Sequence, residues 1–382
     1  MKYPLLPYSQ LVFDMLKTNP EVYYSRFSMR VDKREVDVAR LRDAFEQVLR
    51  NHPVFSMQVD DAGMQEYVPA EDIWHGQYHS VDIRDEGETI RVDIAYNRIL
   101  GDALSGNVWI DNLCRAYQGL PLQPDNYLAY LEQKERDKQS PRYAADREWL
   151  QCEFGNITCP VHPHTDVPLD TPCEPIEGTL LEDYSDWKER LSALGKEQLL
   201  PLTAVFSLAS VLAIMDYNGA DEAALTWAYG GRETSEEQSI FGSLHRDIPF
   251  KISRKSKVES QKPATREELI KEARKQYREG IAHSAYPLTL TKPHSDLWNY
   301  ALNVLVQPSP EQILKNCPFA FELMTPTEEQ QVAYALLDVE IYDLDSLHIN
   351  YRYSATHYKE SSIRRFAALV RKYVEWLIES EE

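Results

Sequence analysis

The sequence predicts a mixed α/β protein made of two layered units. Helical and strand patterns alternate in both halves of the 382-residue chain, and 43% of its residues are hydrophobic, enough to bury large cores. A stretch with five prolines, residues 152–178, lies between the halves. Because proline fixes φ and lacks an N–H group, this stretch favours extended, exposed backbone. We therefore expect an N-terminal unit over residues 1–151, a linker over 152–178 and a C-terminal unit over 179–382.

In the N-terminal half a helix is predicted before a half-buried strand. Apolar residues recur at helical spacing over 37–51, and every second residue is apolar over 88–96. After Asp102 a second helical pattern ends at residues 119–121, where the glycine and proline of a helix stop are found. Residues 128–150 add charged helices.

The C-terminal half repeats this alternation with longer apolar segments. In chain order the predicted elements are a buried helix over 199–217, a strand over 223–228, a helix over 266–285, a buried strand over 300–307, an alternating strand over 347–353 and an amphipathic helix over 363–377.

The charge balance limits the possible partners. With 61 acidic residues against 41 basic ones, the net charge of −20 repels nucleic acid and anionic membranes. A partner with a basic or neutral surface is more plausible.

The cysteines and the N-terminus indicate a compartment. Five cysteines with irregular spacing and no Cys-x-x-Cys pair argue against a disulfide framework, so we expect reduced thiols. The first residues are too short and too proline-interrupted for a signal peptide, and no stretch approaches the roughly 20 apolar residues of a membrane span. The sequence therefore predicts a soluble, cytoplasmic protein with no bound cofactor.

Six short segments follow one another in an order that resembles the sequence blocks of nonribosomal peptide synthetase condensation domains, a family with the chloramphenicol acetyltransferase-like fold. They are Leu6-Pro7-Tyr8-Ser9-Gln10 (block LSxxQ), residues 41–55 with Leu49-Arg50-Asn51-His52-Pro53-Val54 (RHExLR), residues 97–105 (the active-site block), Gly230-Gly231-Arg232 (GxPxxGR), residues 240–249 (IGxFVNTLP) and His283-Ser284-Ala285-Tyr286-Pro287-Leu288 (HQDYPF).

The resemblance implies two acetyltransferase-like lobes in a V-shaped pseudo-dimer with a tunnel between them. It also implies that donor and acceptor thioesters, each on the phosphopantetheine arm of an acyl or peptidyl carrier protein, enter the tunnel from opposite ends. Another synthetase module or a modifying enzyme is an alternative partner. The chain is somewhat shorter than we expect for this family, so the resemblance does not predict whether the tunnel is closed.

The family motif is His-His-x-x-x-Asp-Gly, in which the second histidine acts as, or positions, the base for attack by the acceptor amine. Anchored on Asp102, this chain reads Asn97-Arg98-Ile99-Leu100-Gly101-Asp102-Ala103. Both histidines are missing. Arg98 cannot accept the proton, because a guanidinium has a pKa above about 12 and offers only donors. We favour a degenerate site that Arg98 fills, over one in which its cation stabilises an oxyanion or binds a carboxylate or phosphate.

Asp102 is structural in the family, where it pairs with an arginine, and the resemblance makes Arg232 the expected partner. The spacing of Asn97, Asp102 and Ser105 also resembles the Asp-x-x-x-x-Asp-x-x-Ser block of heterocyclisation domains, although position 97 is not an aspartate. The Gln-Thr-Pro block of those domains is not evident near residues 303–307.

Other candidates are weaker. Gly231 and His245 are expected near the cleft with Arg98, and His245 is more often a satisfied interior histidine than a reactive one. His52 is expected to be a hydrogen-bonded core residue, and His283 to lie at a helix end. Four cysteine and histidine residues of the proline-rich stretch are of the types that bind zinc: Cys159, His162, His164 and Cys173. Because their spacing is irregular, we interpret them as solvated loop residues and predict no metal.

Three functions are compatible with these residues. The favoured one is a catalytically degenerate condensation domain that works as a binding scaffold for a carrier protein or partner enzyme. The second is a divergent acyltransferase that forms an amide or ester by positioning alone, which in favourable cases lowers a barrier by about 7–11 kcal/mol. The third is a heterocyclisation-like enzyme.

Overall fold

The computed structural model describes residues 1–17, 24–171, 176–255, 262–291, 300–305, 317–324, 336–343 and 345–379. The strands are β1 Lys2–Pro4, β2 Tyr24–Asp32, β3 Met57–Val59, β4 Met64–Tyr67, β5 His75–Gly76, β6 His79–Asp85, β7 Thr89–Asn97, β8 Glu177–Asp183, β9 Glu222–Tyr229, β10 Arg246–Ser253, β11 Tyr300–Leu305, β12 Glu322–Met324, β13 Leu337–Asp343 and β14 Leu347–Ser354. The α-helices are α1 Pro7–Leu16, α2 Val38–Asn51, α3 Ala103–Gln118, α4 Tyr127–Asp137, α5 Pro141–Phe154, α6 Lys188–Gln198, α7 Leu202–Asn218, α8 Ser235–Gln238, α9 Arg266–Ala282 and α10 Glu360–Ile378.

The chain divides into two compact units with bounds that differ from the predicted ones. The N-terminal unit comprises Met1–Ser140, Gly230–His245 and Pro308–Glu329, and the C-terminal unit comprises the remaining three segments, Pro141–Tyr229, Arg246–Gln307 and Gln330–Glu382. The chain thus returns twice to the N-terminal unit, once with the Gly-Gly-Arg block and once with β12. A linear reading of composition cannot show such returns, because they depend on pairing between distant segments.

The N-terminal unit contains two antiparallel sheets. The larger has the strand order β12-β2-β7-β6-β5, and the smaller has the order β1-β4-β3. Helices α2 and α3 pack against each other. Helix α2 begins after Asp37, whose side chain accepts hydrogen bonds from two N–H groups of the first turn, and its apolar stripe is buried.

The C-terminal unit contains one mixed sheet with the order β10-β9-β11-β13-β14-β8. Its three central strands, β9, β11 and β13, run parallel, and the outer pairs are antiparallel. Helix α7 packs on β9, β10 and β11, and α10 packs on α7. Every residue from Ala204 to Met215 of α7 is buried, which explains its nearly uniform apolar sequence. The predicted mixed α/β class is confirmed.

The expectation of reduced thiols is wrong for two of the five cysteines. Cys114 and Cys317 form a disulfide with a Cα–Cα distance of 5.1 Å, although 203 positions separate them in the sequence. Cys152 and Cys159 are not part of a disulfide, and Cys173 lies outside the described residues. Sequence spacing gives no sign of a bond that only the folded N-terminal unit brings together.

Within the described ranges, no single helix is long and apolar enough to cross a membrane. One sharply bent pair, Ser185–Gln198 with Leu202–Asn218, meets that requirement by length and composition only.

Candidate functional site

The motif residues lie in the turn between β7 and α3. Asn97 ends β7 and is completely buried, and its side-chain Oδ1 accepts a hydrogen bond from the N–H of Ile99 at 3.0 Å. The carbonyl of Ile99 in turn accepts the hydroxyl of Ser9 at 2.8 Å. Asn97 therefore shapes the turn that leads into α3, and this use of its amide oxygen is structural.

Asp102 is the N-cap of α3. Its Oδ1 accepts a hydrogen bond from the N–H of Ser105 at 3.1 Å, and the hydroxyl of Ser105 accepts the N–H of Asp102 at 3.2 Å. This reciprocal capping box satisfies two N–H groups of the helix start. Ala103 follows as the first helical residue and is exposed.

Arg232 lies against the same carboxylate. Its Nη1 and Nη2 donate to Oδ2 and Oδ1 of Asp102 at 2.9 and 3.0 Å, a bidentate pair whose side chains are only 3% and 6% exposed. Nη2 also lies 3.1 Å from the carbonyl oxygens of Ile240 and Gly242. Gly231 has a φ of 66°, a left-handed conformation that favours glycine, so the Gly-Gly-Arg turn requires the residue found there.

Two further donors come from the backbone. The N–H groups of Leu244 and His245 donate to Oδ2 of Asp102 at 3.0 and 3.2 Å. Five N–H groups therefore donate to this carboxylate, and the Ser105 hydroxyl lies 3.0 Å from Oδ1. Burial by itself raises the pKa of Asp102, but the charge and hydrogen bonds of Arg232 outweigh it and the pKa is lowered. The carboxylate is a structural anion with its acceptor sites in use.

His245 is half-buried, and its ring meets the ring of Tyr8 edge-on with centroids 4.0 Å apart. Its Nδ1 is buried and has no hydrogen-bond partner among the described residues. Burial lowers the pKa of His245 to about 4, and the nearby Asp102 only partly opposes this. Arg98 and Arg232 lower it further. The imidazole is therefore neutral at pH 7 and a weak base.

Arg98 is half-buried and acts on its neighbours by its charge. It lowers the pKa of His245, and it partly offsets the rise that burial causes in the pKa of Tyr96. The structure thus brings Arg98, His245 and the Asp102–Arg232 pair into one electrostatic neighbourhood of the N-terminal unit.

A small void borders the same helix. It has a volume of about 10 Å³, about the space of one water molecule, and its lining includes Tyr96, Gly106 and Phe241. A Cβ placed on Gly106 would meet nothing closer than the Tyr96 hydroxyl at 3.9 Å. At Gly101, by contrast, a Cβ would lie 2.6 Å from the Phe241 ring and 3.0 Å from the Ser105 side chain.

His52 is the hydrogen-bonded core residue that the sequence predicts. Its Nδ1 lies 2.6 Å from Oδ2 of Asp125, and its Nε2 lies 3.3 Å from the amide nitrogen of Asn112. The Asp125 carboxylate also accepts the N–H groups of Tyr127 and Phe241, at 2.8 and 3.0 Å. Sequence reasoning missed Asp125, since only its place just before α4 marks it.

Asp247, on β10, was also missed. It is registered opposite Ala228 of β9, and its carboxylate has no hydrogen bond or ion pair with any described residue. Burial raises its pKa to about 7, close to neutral pH. The sequence feature that could have identified Asp247 is an acidic residue inside the predicted strand block that ends at Ile248 and Pro249. Asp247 belongs to the C-terminal unit.

The remaining predicted residues have local roles. His283 follows α9, with its Nδ1 2.9 Å from the buried carboxylate of Asp146 and its ring stacked on Trp149. His162 contacts the carbonyl of Pro163 at 2.8 Å. In the part of the chain that the structure describes, no group of three or more His, Cys, Asp or Glu side chains is arranged to hold a metal ion. Residues 306–307, where the Gln-Thr-Pro block was not evident in the sequence, lie outside the described residues.

A mixed α/β chain with a bidentate Asp–Arg pair at the start of α3 has the features of condensation-type domains of peptide synthetases. The family model for the condensation domain matches residues 94–381, so the chain belongs to the condensation-domain family. It is a condensation-domain-like protein of the nonribosomal peptide synthetase type. No curated protein sequence matches it significantly.

Solved structures with the same fold cover the whole chain. The epimerization domain from the third module of tyrocidine synthetase B has a TM-score of 0.76 and 17% identity over 99% of this chain and 96% of that one. The condensation domain of the monacolin K polyketide synthase MokA has a TM-score of 0.75 and 13% identity, covering 99% and 97%. The EpoB cyclization-docking bidomain from Sorangium cellulosum has a TM-score of 0.75 and 15% identity over 100% of this chain and 86% of that one. At such identities the likeness shows the fold alone.

Proposed function

We propose that this condensation-domain-like protein does not catalyse amide formation and acts as a scaffold that binds a carrier protein or a partner enzyme of nonribosomal peptide biosynthesis. The observation that carries the proposal is the chemistry of the motif. Asp102 is saturated by hydrogen bonds, and position 98 is a permanent cation.

Amide formation needs a group that accepts the proton of the attacking amine. A useful general base has a pKa near the working pH and typically contributes about 10²- to 10⁴-fold in rate. His245 has the same side chain as the missing motif histidines, but its pKa of about 4 makes it a poor proton acceptor at pH 7. The weak basicity of His245 supports the absence of catalysis.

The retained framework supports a binding role. The Asp102–Arg232 pair joins the start of α3 to the Gly-Gly-Arg block and to residues 244–245, all within the N-terminal unit. A framework kept after its histidines are gone still presents the surfaces of the fold. The net charge of −20 opposes docking of an acidic carrier protein by long-range attraction. A partner with a basic or neutral surface, such as another synthetase module or a modifying enzyme, is therefore the favoured occupant.

A second function, carrier-dependent acyl transfer to an amine or alcohol, is favoured by one residue. The Asp247 carboxylate has no hydrogen bond or ion pair among the described residues, and its pKa of about 7 is that of a general base at neutral pH. An acceptor that reached this carboxylate would have its proton taken there, without a motif histidine. Heterocyclisation stays the least favoured function, because position 97 is an amide and Asp102 has no free acceptor site.

One assay separates these functions. Acyl carrier proteins loaded with a panel of thioesters are incubated with amine and alcohol acceptors, and products and acyl-carrier turnover are followed by mass spectrometry. The wild type is compared with Asp247→Asn, which keeps the shape of the side chain, and with Arg98→Ala. The double variant Asn97→His with Arg98→His restores both motif histidines and serves as the gain-of-function control.

The scaffold proposal expects no turnover by the wild type together with measurable binding, by calorimetry, of a carrier protein, a synthetase module or a modifying enzyme. Wild-type turnover that is lost in Asp247→Asn establishes the second function instead. Turnover that is lost in Arg98→Ala makes Arg98 an electrostatic catalyst. Absence of both turnover and binding across the panel contradicts the scaffold.

A further inference from the structure

The disulfide between Cys114 and Cys317 joins two parts of the N-terminal unit that are far apart in the chain. Cys114 lies on α3 and is 5% exposed, whereas Cys317 begins the described segment 317–324 and is partly exposed. The chain enters this segment after β11 and leaves it before β13, and both of those strands belong to the C-terminal unit. The bond therefore fastens an inserted segment to the helix that starts at Asp102.

Apart from this bond, segment 317–324 has three kinds of contact with other residues that the structure describes. Strand β12 contributes three residues, Glu322–Met324, which pair antiparallel with β2 at the edge of the larger sheet. Phe319 is buried, with its ring edge-on to Tyr117 at 4.5 Å. The N–H of Ala320 lies 3.5 Å from a carboxylate oxygen of Glu35, at the limit of a hydrogen bond. A three-residue edge strand is a short attachment, and the covalent bond adds a restraint to it.

We propose that Cys114 and Cys317 form a reversible thiol–disulfide switch that controls the attachment of segment 317–324 to the N-terminal unit. The two cysteine residues differ in exposure, and this difference sets the order of events. A low-molecular-weight thiolate attacks Sγ of the partly exposed Cys317, and Cys114 leaves as a thiolate and takes a proton from water. A second thiol then attacks the mixed disulfide, which releases Cys317 and one molecule of low-molecular-weight disulfide. Oxidation by that disulfide is the reverse sequence.

The switch acts on the helix that carries the motif aspartate. Cys114 is 12 positions after Asp102, about 18 Å along α3, so the bond leaves the Asp102–Arg232 pair untouched. Reduction is expected to loosen β12 and to expose the edge of β2, while the buried parts of α2 and α3 stay folded. An exposed strand edge is a pairing surface, so the redox state changes the surface that the N-terminal unit presents.

Thiol counting tests the chemistry. The protein is equilibrated with defined ratios of a low-molecular-weight thiol and its disulfide, quenched in acid, alkylated under denaturing conditions and weighed intact. We expect two fewer alkylated cysteines at oxidising ratios than at reducing ratios, with a midpoint that is the same from both directions. Five alkylated cysteines at every ratio would overturn the proposal, and so would a disulfide that persists at reducing ratios.

Hydrogen exchange tests the structural consequence. Peptides covering segment 317–324 and β2 should exchange about tenfold or more faster in the reduced protein than in the oxidised one. Cys114→Ser and Cys317→Ser should each behave like the reduced protein at every ratio of thiol to disulfide. Because both variants remove the same bond, agreement between them excludes a folding defect of either one as the cause. Cys152→Ser, which removes an exposed free cysteine, is the matched control and should still switch. Equal exchange in both redox states would refute the switch. The readouts involve no carrier protein, so they stand apart from the proposed scaffold function.

Discussion

Replacing Asp102 with alanine removes the acceptor of five buried N–H groups at once. Two belong to the guanidinium of Arg232, which keeps the carbonyl oxygens around it and the Ser105 hydroxyl, and its charge then has no counter-ion in the pair. Two others are the backbone N–H groups of Leu244 and His245. The start of α3 also loses its N-cap.

The size of the loss follows from these contacts. Breaking a buried ion pair from one side costs about 3–5 kcal/mol, because the remaining charge is uncompensated. Each buried N–H group left without an acceptor costs about 1–3 kcal/mol. These costs overlap, so we expect the free energy of unfolding to fall by about 4 kcal/mol or more. For a unit of about 180 residues this corresponds to a fall in Tm of roughly 8–16 °C.

Urea and thermal denaturation of Asp102→Ala, Arg232→Met and the double variant measure the loss and the coupling between the two residues. The double variant should recover part of the stability, with a coupling of at least about 1 kcal/mol. Glu46→Ala is the matched control in the same unit, because its pair with Arg50 is 43% and 49% exposed and should contribute less than about 1 kcal/mol. An Asp102→Ala variant that melts within about 2 °C of the wild type would refute the reasoning.

Four other outcomes are expected. Gly106→Ala should raise the free energy of unfolding by about 0.5–1 kcal/mol, because alanine favours the helix and its Cβ has room; Gly101→Ala should lower it by about 1–3 kcal/mol, because its Cβ would lie 2.6 Å from a phenylalanine ring carbon. Arg98→Ala should leave Tm nearly unchanged and raise the pKa of His245, measured by NMR titration, since one of the cations that lowers that pKa is gone. Asp247 has a folded-state pKa of about 7, so its stabilising contribution is complete at low pH and is lost as pH rises from about 4 to about 7. The free energy of unfolding of Asp247→Asn, relative to that of the wild type, should therefore rise by about 4 kcal/mol between pH 4 and pH 8. Urea denaturation of both proteins at the two pH values measures this. The same difference in stability between variant and wild type at both pH values would contradict the raised pKa.

The elements with local signals are the ones that the sequence predicts closely. The helical pattern over 37–51 corresponds to α2, Val38–Asn51, because the cap and the buried stripe are both written in neighbouring residues. The helix predicted from residue 199 begins too early, since its apolar run starts in the turn between two helices. In the structure Leu199 has a φ of 50° at the end of α6, and α7 begins only after Pro201.

Long-range features give no such signal. Strand β12 joins the sheet of the N-terminal unit at β2, and nothing in its three residues indicates that destination. The Cys114–Cys317 bond and the His52–Asp125 contact likewise join residues 203 and 73 positions apart. Periodicity reports which face of an element is buried but does not report what covers it.

The candidate site was predicted in part. The expectation that Arg232 would be the partner of Asp102 came from the family resemblance, and the two are 130 positions apart, beyond the reach of any spacing argument. The same resemblance directed attention to residues 97–105 and away from Asp247, whose interest depends on burial rather than on a motif. A raised pKa is a property of the surroundings, so a sequence cannot display it.

The hydrogen bonds around Asp102 also bear on how the chain folds. They join the start of α3 to Arg232 and to residues 244–245, at sequence separations of 130, 142 and 143. Contacts that close such long loops carry a large entropic cost and tend to form late, after the local helices and hairpins. Loss of the carboxylate should then act mainly on the unfolding rate and leave the folding rate nearly constant. The pair would thus govern how long the N-terminal unit stays folded, a kinetic property that is separate from any chemistry at the motif.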